Sequence, residues 1–198
     1  LITSNLDLRI LGAFDLAKDE RVVDSFGERR DEELLAFLAL SSPTLVSRDT
    51  IAGKMWPDAP PATARQSLSF YLFHLKKRLL KHGVEEPVEE VRKRLRLHPS
   101  ISVDAARFAG LLADAARAST ASERIWRLDQ AIRLYGAGLL PGITFDWLTP
   151  HQEQFESLYQ NAALELARLT QGESPMRKVM LHLPAVAWQA QTGGGGAT

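Results

Sequence analysis

The chain has no cysteine, which excludes disulfides and thiolate-held metals. It has no net charge either, with 24 lysines and arginines against 24 aspartates and glutamates. The molecule as a whole therefore has no general attraction to a polyanion. No run of about 18 apolar residues occurs, so no membrane-spanning helix is expected. No glycine-rich loop ending in Gly-Lys-Ser/Thr is present, which removes the common nucleotide-phosphate cradle. The opening residues Leu1-Ile2-Thr3-Ser4-Asn5 lack a basic region followed by an apolar core, so a secretory leader is not expected. The absence of an initial Met suggests an excised piece. The five histidines, at 74, 82, 98, 151 and 182, are scattered, and no two have metal-ligand spacing. His151 with Glu153 and Glu156 reads as a solvated helix face. No metal, cofactor or catalytic constellation is expected, and a cytoplasmic location fits these absences.

What is present is an uneven distribution of charge. Residues 1–59 hold 7 Lys/Arg against 11 Asp/Glu, residues 60–98 hold 9 against 4, and the remaining residues hold 8 against 9. The positive excess lies in one stretch, and where charge is concentrated matters more than its total. Charge alone also fits a solvated helix beside a solvated hairpin.

The chain's 198 residues allow one or two domains. Leu6-Asp7-Leu8-Arg9-Ile10-Leu11 alternates apolar and polar, which predicts a strand. Residues 13–16 and 21–26 predict two more, joined by the polar turn Ala17-Lys18-Asp19-Glu20, giving a small antiparallel sheet. Three helices should follow. The first covers about 29–40, with Leu34, Leu35, Phe37 and Leu38 inward, and stops at Pro43. The second is capped by Ser47, buries Ile51, Met55 and Trp56, and stops at Pro57. The third covers about 62–81 and ends at Gly83. Residues 88–97 then read as a hairpin. Strands, three helices and a basic hairpin make the outline of a winged-helix DNA reader.

Pro99-Ser100 is the expected boundary, with an entirely helical pattern beyond it. Asp104 is placed to cap a helix burying Phe108, Leu111, Leu112 and Ala115. Thr120 and Glu123 form a capping-box pattern before Ile125, Leu128 and Ile132. Thr149, Pro150 and Gln152 open another helix, whose inward stripe is Phe155, Leu158, Tyr159, Ala162, Leu166 and Leu169. Ser174-Pro175 opens one more, ending near Pro184. The tail, with four consecutive glycines at 193–196, reads as a flexible linker. Short connections between antiparallel helices suggest tetratricopeptide-like stacking, although no 34-residue consensus repeats.

On a helical wheel, Ala64, Leu68, Tyr71, Leu72, Leu75 and Leu79 of the third helix share one face. Gln66, Ser69, Phe70, Phe73 and Lys77 lie opposite. Arg65 and Lys76 flank one edge, His74 and Arg78 the other. This layout suits a helix in a major groove, with central residues at base edges and flanking cations at phosphates. Gln66 is suited to adenine, while Phe70 and Phe73 offer only apolar contact, for instance with thymine methyls. Packing of the two rings against the second domain or a protein partner is the lesser alternative. Arg92, Lys93 and Arg94 at the hairpin tip suit the negative potential of a narrow minor groove, and a solvated basic turn is the plainer alternative.

These residues carry a family likeness. The run Leu68-Ser69-Phe70-Tyr71-Leu72-Phe73-His74-Leu75-Lys76-Lys77-Arg78-Leu79 resembles the recognition helix of OmpR-type winged helices. Leu8-Arg9-Ile10-Leu11-Gly12-Ala13-Phe14, the 34–40 segment, Ser47-Arg48-Asp49 and Met55-Trp56-Pro57-Asp58 are similar to antibiotic-pathway regulators of the SARP type. Val103-Asp104 with Phe108, Leu134-Tyr135, Leu139-Leu140-Pro141-Gly142 and Asp146-Trp147 resemble the bacterial transcriptional activator domain that follows in that family. The likeness covers roughly residues 6–171.

The resemblance implies a transcriptional activator with no enzymatic activity. It implies an α+β winged helix at 1–98, an all-α tetratricopeptide-like activator domain at 103–183 and a flexible tail at 184–198. Its expected partners are double-stranded DNA, at promoter repeats bound in tandem or as a homodimer, and RNA polymerase. The expected DNA-contacting residues are Arg65, Gln66, Ser69, Phe70, Phe73, His74, Lys76, Lys77, Arg78, Arg92, Lys93 and Arg94. An adaptor that uses the same two domains for protein–protein contact, without DNA, is the alternative.

Overall fold

The computed structural model describes residues 6–19, 21–22, 29–84 and 86–170. Strand β1 (Leu6–Arg9) pairs antiparallel with β2 (Asp15–Lys18), which pairs with the two-residue β3 (Arg21–Val22). The strands are offset from expectation: Ala17 and Lys18 belong to β2, and the turn is made at Asp19, whose φ is 49°. Residues 23–28 lie outside the described set.

A larger departure follows the expected boundary. Ile101–Val103 forms a strand, β7, which pairs in parallel with β1, so the sheet is mixed, in the order β3-β2-β1-β7. Parallel neighbours need a long crossover, and here the three helices and the hairpin supply it. A pairing partner more than 90 residues away leaves no local signature, so a reading by periodicity passes over three residues as linker.

Helix α1 (Arg29–Ser41) buries Leu34, Leu35, Phe37 and Leu38 as expected, but also Asp31 and Glu33. A two-residue strand, β4 (Val46–Ser47), leads into α2 (Arg48–Met55), whose first turn is capped by the Ser47 hydroxyl accepting from Thr50 N at 3.0 Å. Helix α3 (Pro61–Lys81) starts on a proline at its first position, where the missing N–H costs nothing. It buries Ala64, Leu68, Leu72, Leu75 and Leu79, while Tyr71 is half-buried and stacks on Trp56 with centroids 5.7 Å apart. The far end of α3 is held by Lys18, whose ammonium donates to the carbonyls of His82 (3.0 Å) and Gly83 (3.1 Å). A cation on the last carbonyls suits the negative end of the helix dipole. Strands β5 (Val88–Val91) and β6 (Arg94–Leu97) close the hairpin and form a second sheet, in the order β4-β6-β5.

The helical half comprises α4 (Asp104–Arg117), α5 (Ala121–Tyr135) and α6 (Thr149–Leu169). Phe108, Tyr135, Phe155 and Tyr159 form its aromatic centre, with Tyr135 and Tyr159 stacked at 4.4 Å. Thr120 caps α5 by accepting from Glu123 N at 3.2 Å. Two expected caps act differently. Asp104 accepts from Ile10 N and Leu11 N of the first sheet region and from Ala105 N, at 2.7–3.0 Å. Gln152 donates to the carbonyls of Leu139, Leu140 and Ile143 rather than reaching back to its helix start. In both cases a buried backbone needed partners more than an exposed helix end did. Leu111, Leu112, Ile125, Leu158 and Leu166 are only half-buried, and Leu169 is exposed. The expected helix after Ser174 and the tail lie outside the described residues.

The two halves share one continuous apolar core. Gly12 N donates to Gly138 O at 2.6 Å, and Leu140 N donates to Ile10 O at 2.9 Å. Gly12 and Gly138 have φ of 112° and 100°, a conformation that a side chain rarely adopts. Trp147 donates its indole N–H to the buried Glu33 carboxylate of α1 at 3.0 Å. General architecture thus follows expectation: small sheets and three helices with a hairpin, followed by a helical half.

Candidate nucleic-acid interface

The geometry of the candidate site starts at Arg48, the first residue of α2. Its backbone N–H donates to the Lys93 carbonyl at the hairpin tip, at 3.3 Å. Its guanidinium forks, donating to Ser69 Oγ of α3 at 2.9 Å and to the Glu90 carboxylate of β5 at 3.1 Å. One arginine thereby ties the hairpin to the third helix. Nothing in the periodicity of residues 46–50 points to this role, because the partners are 21 and 42 residues away.

The hairpin turn has only two residues, Arg92 and Lys93, between the paired Val91 and Arg94. Their φ values are 49° and 63°. Such a turn follows the twist of the strands and normally uses Asn-Gly, and larger side chains there cost about 1–2 kcal/mol each. The chain thus holds two exposed cations on a strained tip. Arg94, expected at the tip, is instead the first residue of β6.

Helix α3 contains no acidic residue. Gln66, Phe70, Phe73 and Lys77 are all exposed and follow one another at helical spacing along a single stripe. Phe70 is 56 % and Phe73 62 % exposed. Among the described residues the rings meet only side chains of their own helix in ring contacts: Phe70 lies 4.2 Å from His74 and 5.4 Å from Tyr71, and Phe73 lies 5.4 Å from His74.

The expected contact residues divide into two groups. The side chains of Lys76, Lys77, Arg92, Lys93 and Arg94 make no hydrogen bond or ion pair among the described residues. The others are engaged. Arg65 pairs with Asp49 at 3.2 Å in an exposed bridge, the kind that contributes little to stability. Ser69 donates to Arg65 O at 3.0 Å while accepting from Arg48. His74 is half-buried and in contact with both phenylalanine rings. Arg78 pairs with Asp31 of α1, a carboxylate with no solvent exposure, so its guanidinium faces the helix bundle. A wheel puts Arg78 at an edge of α3 but does not show that an acid waits there. The Asp31-Glu32-Glu33 cluster was the available signal, since a carboxylate that becomes buried needs a cation or N–H donors to answer it.

No group of three or more His, Asp or Glu side chains among the described residues is placed to hold a metal. No described helix is long and apolar enough to cross a membrane.

No known family profile matches the chain, and no curated protein does. Among solved structures, it is similar to EmbR of Mycobacterium tuberculosis, determined in complex with a low-affinity phosphopeptide. The chain shares that fold. The TM-score is 0.68 over 84 % of this chain, at 23 % sequence identity. The chain spans 45 % of the length of EmbR.

Proposed function

We propose that the chain is a sequence-specific DNA-binding transcriptional regulator of the SARP kind. Helix α3 lies in a major groove, and the hairpin tip reaches the adjacent minor groove as a wing. Lys76 and Lys77 meet phosphates on the groove wall, Arg92, Lys93 and Arg94 enter or border the minor groove, and Gln66 faces base edges. Arg65 contributes once its exposed partner Asp49 is exchanged for phosphate, and Ser69 acts through Arg48, which it helps to hold beside the groove. Arg78 serves chiefly to hold α3 on α1.

The observation that carries this reading is an acid-free helix face beside a basic tip tied to it by Arg48, the two together carrying five cations without partners among the described residues. Unpartnered like charges brought together repel one another, and a polyanion relieves that repulsion. Residues 1–98 act as the DNA-reading unit, and residues 103–183 as a tetratricopeptide-like activator unit that contacts RNA polymerase and favours tandem or dimeric binding at promoter repeats. The function is non-catalytic and cytoplasmic.

The test is duplex binding across a salt series. A reader of this kind loses affinity steeply as salt rises, because each neutralised phosphate releases counterions. Lys77→Ala and Arg94→Ala should each weaken binding and lower the slope of log affinity against log salt by about 1. Retention of full affinity and slope in both variants discards the groove assignment. Binding that ignores salt favours the adaptor, for which the two bare phenylalanines would be a protein contact.

A further inference from the structure

We infer that Phe70 and Phe73 form a thymine-methyl reader, which makes the preferred duplex one with neighbouring thymines beside the position faced by Gln66. The inference rests on the DNA reading proposed above and deepens it. The first support is exposure: among the described residues both rings stand free of the helical half, and their only ring contacts are with side chains of their own helix. The second is rigidity. His74 packs against both rings, 4.2 Å from Phe70 and 5.4 Å from Phe73, and aromatic side chains so braced lose little conformational freedom on binding.

The third support is charge. The stripe runs from Gln66 through the rings to Lys77, with Lys76 beside it and no carboxylate on the helix. That setting complements a polyanion, whereas the core of a protein interface is usually depleted of charge. In a major groove, an apolar side chain has one apolar group to meet, the C5-methyl of thymine. Residues three apart on a helix are separated by about 4.5 Å along its axis, close to the ~3.4 Å rise between bases. The two rings therefore fit methyls at neighbouring steps. Gln66 is one turn before Phe70 on the same stripe, where its amide fits an adenine edge.

The experiment uses the full chain and a random-sequence duplex pool. Duplexes enriched by binding should carry thymines at two neighbouring positions. The enriched duplexes are then remade with deoxyuridine in place of thymidine, which keeps every hydrogen-bonding group and removes only the methyl. The chain should bind the uracil duplex about fourfold more weakly for each methyl read, from the usual value of a buried methyl-sized group. A Phe70→Ala/Phe73→Ala double variant should bind both duplexes alike, keep the salt slope of the unaltered chain and show the same melting transition. Phe73→Leu should retain part of the preference.

Equal affinity of the unaltered chain for both duplexes overturns the thymine reading while leaving salt-dependent DNA binding intact. Failure to enrich any duplex overturns both proposals together. A double variant that changes only the oligomeric state, with its thymine preference unaltered, assigns the rings to a protein contact and overturns the inference.

Discussion

The junction between the two halves and the face formed by α3 and the hairpin tip treat polar groups in opposite ways. At the junction they are buried and answered. Asp104 accepts three backbone N–H groups, Glu33 accepts from Trp147 and pairs with Arg30, and the two N–H groups of the Gln152 amide are shared among three carbonyls. On the α3 face, the exposed Lys77, Arg92 and Lys93 and the half-buried Lys76 have no hydrogen-bond or ion-pair partner among the described residues, beside two exposed aromatic rings. An unmet buried polar group costs folding free energy, so the junction is where stability resides. An unmet exposed cation costs little until a ligand arrives. The contrast separates residues that hold the fold from residues available for binding, and substitutions at each place should show different signatures.

The largest effect belongs to Asp104→Ala. Ile10, Leu11 and Ala105 would lose their shared acceptor in a buried site. Burial pushes the Asp104 carboxyl above its ordinary range, although the three donors and Arg107 pull the other way. A loss of about 3 kcal/mol in folding stability is expected, read as a lower midpoint in a urea titration. An unchanged midpoint would break the contrast at its strongest point. Trp147→Phe is next. It keeps the edge contact with Phe37 at 5.1 Å but removes the N–H donated to Glu33, at an expected cost of about 1–2 kcal/mol. The same titration checks it.

The opposite signature is expected at the hairpin tip. Lys93→Gly places the residue with the least left-handed penalty where φ is 63° and should raise stability by about 1 kcal/mol. It also removes a cation, so duplex affinity should fall at the same time. Stability and binding moving in opposite directions is the behaviour of a site that retains strain for function. A variant that loses stability, or keeps its full affinity, would show that the turn is ordinary structure.

How much of this was legible beforehand depends on the range of the interactions. The buried stripe of α3, the inward leucines of α1 and the hairpin follow from periodicity, which acts over a few residues. The Ser47 and Thr120 caps were readable for the same reason. The exposed stripe of Gln66, Phe70, Phe73 and Lys77 was also visible on a wheel. The pairing of β7 with β1, the fork of Arg48 and the Arg78–Asp31 bridge were not, because each joins segments that only the finished fold brings together. Asp104 and Gln152 show the same limit: their types and positions match local capping patterns, yet their side chains serve distant backbone. Residue type announced that a polar partner was needed, and tertiary structure decided which one.

The smallest effect is a pH dependence confined to the junction. His151 lies at the start of α6 with its ring edge-on to Trp147, 6.4 Å between centroids, and burial holds its pKa below the ordinary histidine value. The unfolded ring titrates near 6.5. The folded ring resists the proton until a lower pH, so between these two values the unfolded chain binds more protons. The stability contributed by the neutral ring is complete above about pH 6.5 and is lost as pH falls from there through the folded pKa. His151→Gln removes this titration, so the drop in urea midpoint between pH 7 and pH 5 should shrink. The variant's duplex affinity at pH 7 should match that of the unaltered chain, since the ring sits at the junction and away from α3. A variant with undiminished acid sensitivity would move the titrating group elsewhere. One with altered duplex affinity at pH 7 would show that the junction and the reading face are energetically coupled, and the separation drawn between them would no longer hold.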